Sequence, residues 1–138
     1  MGMIGTISGQ QSAVYAAEGR IQAGRQFVDH DQAQMFVDSI TASDWWTDCY
    51  PDVRRIDVVA QREDAPNVAL DRGQTIGLNS QGLNERVILH EVAHIVTPGA
   101  GHTAPWVRER MNLAYRVLGS ERYLDVYEAF VAEGVDIG

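Results

Sequence analysis

The sequence predicts an α+β fold: a small, mostly antiparallel sheet packed on helices, forming one domain over residues 11–138 behind a flexible leader at residues 1–10. Three observations predict it. A β-branched run at residues 54–60 is followed by two short apolar runs about a glycine-containing turn, which reads as strand then hairpin. From Asn84 onward the apolar period changes to 3.6 residues, the signature of amphipathic helices. A length of 138 residues, 45% hydrophobic and 22% charged, suits a single globular domain that can bury a core without disulfides.

Taken in order, residues 11–24 have helix-forming composition, with a stop expected near Gly19 or Gly24. Asp29 and Gln32 make an N-terminal capping pair before Ala33, Phe36, Val37 and Ile40, which share one helical face. Ser43 marks a stop or a second cap before Trp45 and Trp46. Residues 54–60 form the first strand. Residues 67–71 and 75–78, flanking Arg72-Gly73-Gln74, form the hairpin. In the next helix Val87, Ile88, Val92, Ile95 and Val96 make a broad apolar face, and Pro98 ends it about Thr97. Gly99 and Gly101 permit a reversal. Thr103 caps a further helix with Pro105 in its first turn, running to Gly119. Ser120 caps the last helix, with Tyr123, Leu124, Tyr127 and Val131 on its packed face, ending at Gly134.

Composition excludes several classes of function. The net charge is −8 and all eleven basic residues are Arg. Such a field repels phosphate backbones, so no nucleic-acid partner is expected. The single cysteine, Cys49, allows no intramolecular disulfide and no cysteine-based zinc ribbon, which points to a reducing, cytoplasmic setting. No apolar segment reaches membrane-spanning length, and the N-terminus lacks the regions of a signal peptide. Gly2 and Thr6 match the myristoylation pattern, but that pattern is short and common.

The chemistry is concentrated in His90-Glu91-Val92-Ala93-His94. Residues four apart on a helix lie nearly above one another, so both imidazoles can reach one ion while Glu91 reaches its bound water. With four His and eight Glu in 138 residues, the H-E-x-x-H pattern arises by chance about once in 150 such chains. A catalytic zinc usually has three protein ligands and one open position. His102 is the expected third ligand, because Pro98 and the glycines let the loop turn back towards the helix. The competing ligands are Glu109, then Glu121 and Glu128. The expected function is therefore zinc-dependent hydrolysis, with a peptide or protein substrate, Zn2+ as cofactor and Glu91 as general base.

The segment HEVAHIVTPGAGHTAPW, His90 to Trp106, resembles the SprT-like metallopeptidases of the zincin type, whose third ligand lies in an H-G-P-x-F type segment. Here Thr103 stands for the glycine and Trp106 for the phenylalanine. The chain is also similar to a group of metallohydrolases of actinobacteria and their phages, whose activity is inferred from the motif. That likeness includes Val14-Tyr15-Ala16-Ala17-Glu18, Val117-Leu118-Gly119 and Gly134-Val135, and the lysine-free composition suits a GC-rich source of this kind. The resemblance implies a minimal zincin-like domain in which substrate lies along an edge strand, for which Thr75–Leu78 is the candidate. It does not imply a DNA–protein crosslink substrate, since the basic extensions of such relatives are missing here. The metzincin pattern does not fit, because its spacing is shorter and Met111 falls in a helix.

Other residues carry less. His30, between Asp29 and Asp31, reads as part of a solvated helix start rather than a second metal site. Trp45 and Trp46 read as a satellite of the core, and Cys49 as a bystander. Tyr115, Arg116, Tyr123 and Tyr127 are candidates for stabilising an oxyanion, with helix packing the alternative for each tyrosine. Two other functional classes fit the same motif: a non-catalytic, zinc-stabilised binding module, and an amide hydrolase acting on a non-protein substrate such as a cell-wall amide.

Overall fold

A computed structural model describes residues 10–70 and 73–138. Residues 1–9 of the expected leader, with the myristoylation pattern, and residues 71 and 72 of the expected hairpin lie outside the described residues. The fold is α+β, with six α-helices and one three-stranded sheet among the described residues. They divide into two compact units, Ala23–Val96 and a second built from the chain up to Gln22 with Thr97–Gly138.

The Ala23–Val96 unit holds the sheet. Helix α2 (His30–Thr41) begins as expected: Asp29 accepts a hydrogen bond from Gln32 N at 2.9 Å. The Gln32 side chain in turn accepts from Val28 N at 2.9 Å, one residue earlier than in the usual capping box. Ala33, Phe36, Val37 and Ile40 are buried. Ser43 stands at the N-cap of the short helix α3 (Asp44–Cys49), but its hydroxyl donates back to Ile40 O at 2.6 Å, so it finishes α2 rather than capping α3. Trp46 is fully buried, with its indole N–H on Val53 O at 2.6 Å. Cys49 is exposed.

The sheet comprises β1 (Asp57–Ala60), β2 (Val68–Leu70) and β3 (Thr75–Leu78), in the order β1-β3-β2. The hairpin pairing is present, with Ala69 opposite Ile76. Two expectations need correction. The sheet is mixed rather than mostly antiparallel, because β1 runs parallel to β3 with Val58 opposite Ile76. Thr75–Leu78 is the central strand, not an edge, so both its sides are already paired. The physical reason is burial: Ile76, Gly77 and Leu78 are buried, whereas β1 is largely exposed and β2 half so. The most buried strand takes the middle, and the connection over residues 61–67 is long enough to let β1 enter beside it in the same direction. Helix α2 packs on β1, and α4 (Glu85–Val96) packs on β2 and β3.

The second unit packs α1 (Gln11–Arg20), α5 (Ala104–Leu113) and α6 (Ser120–Ala132). Between α5 and α6 the backbone widens into a π-helical segment, Ala114–Leu118. The N-cap of α6 is Gly119 at φ 98°, not Ser120. The expected packed face of α6 is also wrong. Val126, Ala129 and Phe130 are buried, while Leu124, Tyr127 and Val131 are exposed. Apolar residues cover more than half of the helix circumference, so spacing alone offers two adjacent stripes. Its end is a Schellman motif, with Val135 N on Phe130 O at 2.9 Å and Gly134 N on Val131 O at 3.1 Å, which buries Val135 against the helix. One buried ion pair crosses this unit: Arg110 of α5 meets Glu18 of α1 at 3.2 Å, with both side chains almost wholly removed from solvent.

The start of α4 rests on a close approach that only glycine allows. Gly24 has φ +77°, and a Cβ there would lie 2.3 Å from Glu85 Oε1, the same oxygen that accepts from Arg25 N at 2.9 Å. Gly24→Ala is expected to lower stability by about 2 kcal/mol, from left-handed strain together with the clash. Urea unfolding checks this, and combining the change with Glu85→Ala should restore part of the loss. An unchanged midpoint for Gly24→Ala would refute the close approach.

Candidate metal centre

The site is built on α4. Its first N–H groups, which no helix can pair internally, are taken up by the preceding chain. Glu85 N and Arg86 N donate to Arg25 O and Ala23 O. Asn84 is the N-cap, its side chain accepting from Val87 N at 3.0 Å. The buried residues Ile88, Leu89, Val92, Ala93 and Ile95 then fix the helix in the core. His90 and Glu91 are buried with them, and His94 is half-buried. The His90 and His94 rings lie 5.0 Å apart at 68°, one helical turn separating them on the same face.

Helix α4 stops at Val96 and the chain turns twice, with Ala100 N on Thr97 O at 3.0 Å and Thr103 N on Ala100 O at 3.2 Å. Gly99 at φ 78° and Gly101 at φ 59° supply the left-handed residues these turns use. Thr103 occupies the N-cap of α5, but its hydroxyl bonds Ala100 O at 2.7 Å and so braces the loop instead of capping. His102 sits in this loop. Its ring stands perpendicular to that of the fully buried Trp106, with centroids 4.8 Å apart. Tyr15 of α1 meets it at 5.4 Å, and the His102 carbonyl accepts from Gln10 Nε2 at 2.6 Å.

His90, His94 and His102 each offer a ring nitrogen, and these ligand atoms all lie within 4.8 Å of one another. Nitrogens bound tetrahedrally to one zinc at about 2.0–2.1 Å lie about 3.4 Å apart. Modest ring rotations close the difference, so the three residues fit a single metal ion. It is the only group of three such side chains among the described residues. Glu109, Glu121 and Glu128 contribute no atom to it, and neither does Glu91.

The remaining candidates fall elsewhere. His30 is the first residue of α2, and its Nε2–H donates to Leu78 O at 2.8 Å, so it joins helix to sheet. Tyr115 and Tyr123 contact each other at 5.9 Å in a groove that also takes in Arg108, Met111 and Asn112. Along α5, those last three residues lie on the side opposite Trp106. Tyr127 and Arg116 are exposed. The tyrosine that touches a proposed ligand is Tyr15, which sequence reasoning missed along with Gln10 and the Glu18–Arg110 pair. Asn84 was also missed, although an asparagine immediately before a periodic helix is a capping signal. No helix among the described residues is long and apolar enough to cross a membrane.

The chain matches no family model, no curated protein and no solved structure.

Proposed function

We propose that this protein is a zinc-dependent hydrolase, a metallopeptidase of the zincin type, with His90, His94 and His102 as metal ligands and Glu91 as general base. The observation that carries the reading is the convergence of three imidazoles, two of them from an H-E-x-x-H helix, with their ligand atoms within 4.8 Å. A donor set of nitrogens alone suits zinc among the common catalytic metals, and three protein ligands leave one position open. Zinc bound there supplies Lewis acidity, activating water at neutral pH and polarising the scissile carbonyl. Glu91, adjacent to His90 and buried, takes the proton of the attacking water and returns it to the departing amine. The substrate backbone pairs along an exposed sheet edge, giving main-chain recognition with little side-chain selectivity. With β3 in the centre, β2 is the edge strand that packs beside α4, so Val68–Leu70 takes that role.

Protein purified without chelator is expected to carry one zinc per chain by elemental analysis, and the His90→Ala/His94→Ala variant none. His102→Ala should weaken zinc binding by about tenfold or more, while Glu109→Ala leaves it nearly intact. Unchanged metal content in the double variant would sink the site. A loss confined to Glu109→Ala would move the third ligand to that carboxylate.

A further inference from the structure

We propose that the third ligand is set in position by residues remote from the motif: Gln10 and Tyr15, at the start of α1, together with Trp106 form a cradle that orients His102 before a metal arrives. The inference rests on the metal-centre reading above. His102 belongs to a loop turned by two left-handed glycines, whose backbone is intrinsically permissive. Such a loop does not fix its imidazole by itself. Three contacts converge on that one residue. Trp106 is fully buried and presents a perpendicular ring at 4.8 Å. Tyr15 closes a second side at 5.4 Å and 68°. Gln10 fixes the backbone, donating to the His102 carbonyl at 2.6 Å, while its own side-chain oxygen accepts from Asp136 N at 2.6 Å. The loop is thus tied through one amide to the end of the chain.

The two helices that supply the rings are locked to each other. Glu18 lies one turn beyond Tyr15 on α1, and Arg110 one turn beyond Trp106 on α5, so each pair shares a helix face. The buried Glu18–Arg110 contact at 3.2 Å therefore fixes the rotation of both helices next to the rings. A general packing role explains Trp106 but not the other two. Tyr15 is 52% exposed, and the half-buried Gln10 spends its side-chain amide on backbone groups of His102 and Asp136. What they share is His102. Gln10 and Tyr15 are positioning residues, and their effect should appear in metal binding rather than in the stability of the fold.

The test is a double-mutant cycle on zinc affinity, read by competition with a chromogenic chelator, using the full chain. Gln10→Ala and Tyr15→Ala are each expected to weaken zinc binding by about tenfold or more while His102 is present. In the His102→Ala background the same changes should cost nothing further, since the residue they orient is gone. Tyr15→Phe keeps the ring and should keep the affinity. The visible spectrum of the cobalt(II) form should shift in Gln10→Ala and Tyr15→Ala as it does in His102→Ala, and urea midpoints should stay close to the parent value. Wild-type affinity in both alanine variants, or equal losses with and without His102, would overturn the cradle. If the wild-type chain binds zinc and His102→Ala does not weaken it, the His102 assignment itself falls, and the cradle with it.

Discussion

Glu91→Gln is expected to keep the zinc and the fold while slowing peptide-bond hydrolysis by about 100-fold or more. Glutamine has nearly the same shape and retains one accepting oxygen, so the buried position of Glu91 remains filled and no ligand is lost. What disappears is the group that, in the proposed mechanism, takes a proton from the attacking water. Zinc content and peptide release from an unfolded protein such as reduced casein, with self-cleavage followed in parallel, provide the readouts. Full activity in Glu91→Gln would refute the general-base assignment even with zinc in place. If neither form cleaved any substrate while both bound one zinc, the site would belong to a metal-stabilised binding module instead.

Glu18→Leu is expected to cost about 3–5 kcal/mol, the largest stability loss of any single change considered. It leaves the Arg110 guanidinium in the core without its counter-charge, and Nη1 of that side chain already has no hydrogen-bond partner among the described residues. Such a loss is a large share of the roughly 5–15 kcal/mol that holds a domain folded. Replacing both partners, in Glu18→Leu/Arg110→Met, removes the buried charges together and should bring stability back to within about 1–2 kcal/mol of the parent. Urea unfolding of the three proteins decides the matter. A single-variant loss below about 1 kcal/mol would mean that the pair behaves like an exposed salt bridge.

The helix carrying the motif was legible in the sequence because its apolar period, its proline stop and its two histidines all indicate the same element. His102 was legible for a related reason: the chain has only a short glycine-containing loop in which to turn, and the loop carries one histidine. The hairpin was also readable from its turn residues. What local pattern does not specify is which strand a third strand joins. Alternation predicts β1 but says nothing of its parallel pairing with β3, which depends on burying Ile76 and Leu78 from both sides. The α6 face failed for a different reason, since the apolar part of that helix is wide enough for two adjacent stripes and only tertiary packing selects Phe130 over Leu124. Tyr15 stayed hidden because Val14, Tyr15, Ala16 and Ala17 are consecutive and define no single face. Its meaning comes from a contact with a residue far along the chain.

The three histidines lie within residues 90–102, and this locality bears on how metal and fold are linked. Bringing such neighbours together closes only short loops, so the entropy of chelation is small even in an unfolded chain. An ion that also binds the unfolded state stabilises the native one only by the ratio of the two affinities. In small zinc domains the ion gathers distant cysteines and histidines and so organises the fold outright. Here the core of Ile88, Leu89 and Val92 is assembled by apolar burial, and the native affinity of the proposed site would exceed that of the loose segment only as far as helix and loop hold the rings at the right angles. Zinc would thus enter a finished structure as a reagent, adding little to the thermodynamic reasons the chain has for folding.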